Sequence, residues 1–208
     1  MSKDAMQDQV VPVSNLRDFF RESIGLAIEH QGVQVEPHTS HYVVNLLTIF
    51  ARSEELYEDD GDYYGIRPLA LMMADAAEAA TIEKRTCSLQ RIGDVALFVA
   101  GFFADSLVHR PVDIDYYIHM GGSAYGSLSD EIKGTARGRV LVDVYHELAR
   151  KFQLLVDVLQ EVRDGANPSS DIDVLRIYEV WRKTGSKRAA ALLKQNGVVP
   201  IAPSLSKH

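Results

Sequence analysis

Between Leu141 and Val162 apolar residues recur at alternating steps of four and three: Leu141, Tyr145, Leu148, Phe152, Leu155, Leu159 and Val162. A helix of 3.6 residues per turn lines these positions along one stripe, whereas a strand would scatter them over both faces. The other periodic segments share the helical step, and no stretch alternates apolar and polar residues as a half-buried strand requires. The expected fold is therefore all-α, a bundle of about six helices followed by a C-terminal two-helix basic appendage.

A first helix is expected after Ser14, with Leu16, Phe19, Phe20, Ile24 and Ala27 on one stripe, ending before Gly32. A second follows Pro37 and buries Val43, Leu46, Leu47 and Phe50; the acidic run YEDDGDYYG after it reads as a loop. A third spans Pro68 to Arg85. The fourth, capped by Ser88, packs through Leu89, Ile92, Ala96, Val99 and Phe103, and the fifth runs from Val112 to Leu128. Residues 137–163 form the longest helix, whose apolar seam suits a central bundle position or, alternatively, a homodimer contact. Gly165, Asn167 and Pro168 end it. The organisation that follows is a flexible start at 1–13, a bundle at 14–163, a linker at 164–170, a basic hairpin at 171–197 and a flexible tail at 198–208.

The longest apolar run, Val95 to Ala104, is half the ~20 residues that a bilayer demands, so a buried helix is expected and no membrane span. The opening MSKDAMQDQ carries no apolar run of the secretory kind. Cys87 is the only cysteine, which excludes an intramolecular disulfide and a zinc site of several thiolates. A cytoplasmic location is the expectation. Net charge is −7, unevenly divided: residues 171–208 carry seven basic and three acidic side chains, a net of +4, leaving −11 on the rest. The body would repel nucleic acid, while the tail could attract it or dock on the body itself.

Chemistry-bearing residues concentrate between Arg91 and Leu128. Arg91, Asp94, Phe98, Gly101 and Asp105 follow three- and four-residue steps, placing two carboxylates and a guanidinium along one stripe of an otherwise apolar helix. Asp105 precedes His109, and Asp115 precedes His119, by four residues, a spacing that suits iron, manganese or zinc. Glu54, Glu55, Glu78 and Glu83 are further acids for such a site, whereas His38, His41, Asp143 and His146 read as surface or capping residues. In GGSAYGS, Gly122 and Gly126 leave one helical face bare, inviting a close helix contact or a flat ligand; Tyr116, Tyr117 and Tyr125 line a pocket or fill the core. The run is similar to the glycine-containing distal helix of haem oxygenases, all-helical proteins of comparable length. That resemblance rests on these few residues and implies a haem site; it assigns no proximal histidine, His30 and His41 lying in the first two helices.

Residues 172–196 read as two helices joined at Thr184, Gly185 and Ser186, with Val174, Ile177, Tyr178 and Trp181 packing on Ala190, Leu192 and Leu193. Arg182, Lys183, Lys187 and Arg188 stand where a helix-turn-helix contacts phosphates, although the second helix offers chiefly alanine and leucine for reading bases. No specific catalytic signature occurs in the chain. The expected role is a non-enzymatic interaction or regulatory protein, homo-oligomeric, with a small-ligand pocket formed by Arg91, Asp94, Asp105, Gly122 and Tyr125. The alternatives are a helical-bundle metal or haem enzyme built on Asp105, His109, Asp115 and His119, and a nucleic-acid-binding regulator acting through the hairpin.

Overall fold

The computed structural model describes residues 16–51, 58–59, 64–107, 112–135, 138–166 and 174–199. Among them nine α-helices run in the order α1 (Leu16–Gln31), α2 (Pro37–Phe50), α3 (Leu69–Ala77), α4 (Ile82–Phe102), α5 (Ile114–Ile132), α6 (Gly138–Arg150), α7 (Phe152–Ala166), α8 (Val174–Thr184) and α9 (Lys187–Gln195). A 3-10 turn, Ala104–Leu107, follows α4. In the acidic stretch read as a loop, β1 (Glu58–Asp59) pairs antiparallel with β2 (Tyr64–Gly65), Glu58 opposite Gly65 and Asp59 opposite Tyr64. The architecture is an all-helical bundle. The expected flexible start, and all of the expected tail except Val198 and Val199, lie outside the described residues.

The central helix is α4, which packs against α3, α5 and α7. A helix apolar around its whole circumference must be covered on every side, and Ile92, Val95, Ala96, Leu97, Phe98, Val99 and Ala100 are all buried. The covering helices approach closely where α4 or α5 carries glycine. A Cβ on Gly93 would stand 2.6 Å from Tyr125 Cε1, and one on Gly101 2.6 Å from Leu159 Cβ. On α5, a Cβ on Gly121 would meet Phe152 Cε2 at 2.6 Å and Ala96 Cβ at 2.7 Å. Gly122 and Gly126, expected to make the bare face, would meet α6 only at ordinary distances, 3.5 Å from Ala149 O and 3.9 Å from Ala149 Cβ. The tight glycine of this run is thus the neighbouring Gly121, because the run turns that position toward both α4 and Phe152.

The seam residues Tyr145, Leu148, Phe152, Leu155, Leu159 and Val162 are buried within the chain's own core, with Leu141 packed at its edge. They are therefore a central packing element and do not form an exposed dimer ridge. The expected single helix over 137–163 is two, separated at Lys151, and α7 continues to Ala166. Hydrogen bonds from Lys151 N to Glu147 O and from Leu155 N to Lys151 O, both 2.9 Å, run through the break, so the stripe keeps its phase.

Three helix limits differ from expectation for identifiable reasons. Thr81, not Ser88, starts α4: its hydroxyl accepts from Lys84 N at 3.3 Å, and Glu83 in the first turn suits the positive end of the helix dipole. The third helix consequently stops at Ala77 and Ser88 lies inside α4. Asp113 heads α5, accepting from Ile114 N at 2.7 Å, and the helix continues past Leu128 to Ile132. Because α4 ends at Phe102, Asp105 belongs to the following 3-10 turn and leaves the expected Arg91–Asp94 stripe.

The turn between α8 and α9 falls where expected, with Gly185 at φ +67°, the left-handed conformation that glycine adopts without a Cβ penalty. These two helices dock on the bundle through apolar residues, Val180 and Ala189 joining its core with Ile177 and Trp181 packed against it, and through polar groups. Arg176, 9% exposed, donates to Asp113 Oδ1 at 2.9 Å and Oδ2 at 3.2 Å, and also to Ala104 O at 3.1 Å. Lys183 Nζ adds a 2.6 Å bond to Asp113. On α7, the buried Asp157 accepts from Ser186 Oγ at 2.8 Å, while Ser186 caps α9 by accepting from Ala189 N at 2.9 Å.

Candidate functional site

Three helices place tyrosines around one carboxylate. Tyr42 on α2 and Tyr125 on α5 each donate to Asp94 Oδ1 at 2.6 Å, and Gln90 Nε2 donates to the Tyr42 hydroxyl at 3.1 Å. Tyr145 on α6 stacks on Tyr125, ring centroids 5.9 Å apart, and meets Tyr42 edge-on at 5.6 Å. Gly93 makes room for the Tyr125 ring beside the very residue that receives its hydroxyl. Asp94 keeps partial exposure as a residue, yet protein surrounds its carboxyl group, and this burial pushes the group up to about 6. Bonds from Tyr125 and Tyr42, and the nearby Arg91, oppose the rise. Burial also pushes both tyrosine hydroxyls upward, so they serve as neutral donors.

Of the residues expected to share a pocket, Asp94 and Tyr125 are in direct contact and Arg91 is an electrostatic neighbour of Asp94, its guanidinium lying 5.0 Å from the Phe50 ring centre. Asp105 is exposed and pairs with Arg163 at 2.9 Å. Gly122 faces Ala149 on α6. Asp115 and His119 share a face of α5, but both are exposed, as are Glu78 and Glu83. His109, Glu54 and Glu55 lie outside the described residues. Among the described residues no three His, Cys, Asp or Glu side chains converge as a metal-ligand group. Of the histidines considered for haem, His30 is exposed and bonded to Glu161 at 2.8 Å, and the exposed His41 lies 3.3 Å from Arg17.

The four hairpin cations divide into two pairs. Lys183 is held by Asp113, and Arg188 by Asp164 with Gln160 at 3.4 Å. Arg182 and Lys187 are exposed. The Arg176 guanidinium beside it, aided by Lys183, holds the Asp113 carboxyl well below the usual carboxylate range. Burial pushes Asp157 the other way, against bonds from Ser186, Arg188 N and Gln153.

A cleft of about 380 Å³ opens between α1 and the end of α7, lined by Phe19, Ser23, Leu26, Ala27, His30, Glu161, Val162, Gly165 and Ala166. Leu26 is 61% exposed at its edge. Glu22 and Glu29, four residues before and three after Leu26, are exposed on the same side of α1. Across the cleft, Glu161 is bonded to His30 and, at 2.7 Å, to Gln31. The cleft was not foreseen from the sequence, although Leu26, an apolar residue off the expected stripe of α1, was its visible sign. Asp113 likewise had a legible signal, an aspartate directly before a helical pattern, whereas Tyr42 had none.

No family model, curated protein or solved structure matches this chain. Among the described residues no helix is long and apolar enough to cross a membrane.

Proposed function

We propose that this protein is a non-enzymatic helical interaction protein that engages its partner through the α1–α7 cleft. The supporting observation is the exposed Leu26 beside Phe19, Ala27 and Val162, an apolar lining with Glu22 and Glu29 on its outer edge. Such a surface suits an apolar side chain carried on a helix with basic neighbours. The carboxylates set among apolar helices fit the same reading, since each serves the architecture: Asp94 receives two tyrosine hydroxyls, Asp113 binds Arg176 and Lys183, and Asp157 receives Ser186. A single cysteine is in keeping with action in the cytoplasm.

Nile red, a neutral apolar dye, tests the cleft directly. At protein concentrations dilute enough for the chain to be monomeric, it is expected to bind wild type with a blue-shifted emission that Leu26→Glu removes, while the far-ultraviolet circular dichroism of the variant stays unchanged because Leu26 is exposed. Dye binding that ignores the substitution, or no binding, overturns the proposal. Stoichiometric iron, manganese or zinc in protein purified without chelator, lost in His119→Ala, would favour the metalloenzyme instead.

A further inference from the structure

We infer that the occupant of the α1–α7 cleft is α8 of a second copy of this chain; the inference rests on the interaction reading above and names its partner. The outward side of α8 carries Leu175, 78% exposed, Tyr178, 37% exposed, and the exposed Arg182, at steps of three and four that align them on one stripe. This is an apolar stripe ending in a cation. The cleft offers the complement, an apolar floor of Phe19, Ala27 and Val162, the exposed Leu26, and the carboxylates Glu22 and Glu29 along one edge. Seven residues separate Leu175 from Arg182 and also Phe19 from Leu26, about 10 Å along either helix. Both apolar anchors and the charge therefore fall within the length of the cleft. Water contact at Leu26, Leu175 and Tyr178 is unfavourable for side chains of this size, and burying each against the other relieves it.

The two surfaces lie on different elements, so each copy offers one cleft and one stripe, whether two copies close reciprocally or stack head to tail. A contact between unlike surfaces has a signature that a single patch meeting itself lacks. Leu26→Glu destroys the cleft and keeps the stripe, and Leu175→Glu does the reverse. Each variant alone is expected to lose self-association by at least about tenfold. Mixed in equal amounts, they are expected to pair, because the stripe of the first still fits the cleft of the second.

Sedimentation equilibrium over about 1–100 µM, a range that captures weak to moderate affinities, provides the test on the full chain. Wild type is expected to exceed the monomer mass of 23.1 kDa, each single variant to remain monomeric, and the mixture to recover a dimer. Wild type that stays monomeric overturns the inference, as does a mixture that stays monomeric while wild type associates. If wild type is monomeric but Nile red still binds in a Leu26-dependent way, the second copy is excluded and the cleft remains a site for another partner. If the dye binding also fails, the interaction reading falls with it.

Discussion

Replacing Gly121 and Gly122 one at a time by alanine separates two neighbouring glycines that look alike in sequence. A Cβ at Gly121 would meet the Phe152 ring on one side and Ala96 Cβ at 2.7 Å on the other, and neither neighbour is the loose end of a flexible chain. An additional methyl in a filled core costs about 1–3 kcal/mol, and obstruction from two sides places Gly121→Ala at the upper end. Alanine returns up to about 1 kcal/mol of helix propensity, leaving a net loss of about 2 kcal/mol. At Gly122 the nearest obstacle, Ala149 O, is 3.5 Å away, so the helical gain stands unopposed. For a chain of this size 1 kcal/mol moves Tm by about 2–4 °C. Gly121→Ala should therefore melt about 4–8 °C below wild type and Gly122→Ala about 1–4 °C above it, followed by circular dichroism at 222 nm. Equal Tm values for the two variants, or a larger loss at Gly122, would refute the packing that places α5 between α4 and Phe152.

Burial raises the Asp94 carboxyl from 3.8 to about 6 in the fold. Its contribution to stability is then fully present below pH 3.8 and is lost as pH rises through 6, by about 3 kcal/mol; urea titrations from pH 3 to 7.5 should show wild type losing that much relative to Asp94→Asn, and parallel profiles would contradict it. Arg176→Ala leaves Asp113 without its guanidinium and should cost about 3 kcal/mol, with Trp181, the only tryptophan and a residue of α8, reporting the loss by a red-shifted emission. Asp113 behaves oppositely to Asp94: its carboxyl is held low, so its contribution is present above the unfolded value and is lost as pH falls through the folded one, a difference that Asp113→Asn should abolish in acid titrations. Thr81→Ala removes the cap of α4 and should cost about 1 kcal/mol, whereas Ser88→Ala inside the helix should be close to neutral; the reverse order in chemical denaturation would restore Ser88 as the cap.

Local patterns carried much of the architecture. The four-and-three spacing over Leu141–Val162, the continuous apolar run of α4 and the Thr184–Ser186 turn are each properties of adjacent residues, and helices, their buried faces and the α8–α9 hairpin follow from them. The errors are local too. Three serine or threonine residues, Thr81, Thr86 and Ser88, lie near the start of α4, and Thr81 is the one whose hydroxyl accepts from Lys84 N with an acid, Glu83, in the first turn. Asp105 kept helical spacing with Asp94, but α4 ends at Phe102, and spacing has no meaning beyond a helix end.

The site was less legible, because its members come from separate helices. Asp94 and Tyr125 stood out as polar groups in an apolar segment, yet nothing in the surrounding residues ties Tyr42, 52 positions away, to the same carboxyl oxygen. The cleft joins the α1 face around Leu26 to the C-terminal turn of α7, more than a hundred residues apart.

By itself, then, the sequence determined that this chain is helical, which faces of its helices are apolar and that its C-terminal part is basic against an acidic body, since backbone periodicity and side-chain charge are properties of nearby residues. Tertiary structure decided which carboxylates are buried, which cations are spent on Asp113 and Asp164, that Gly121 and not Gly122 is the tight glycine, and that the seam is internal while Leu26 and Leu175 are exposed. Those outcomes depend on the angles and registers at which helices cross, and these are set by the simultaneous packing of the whole core.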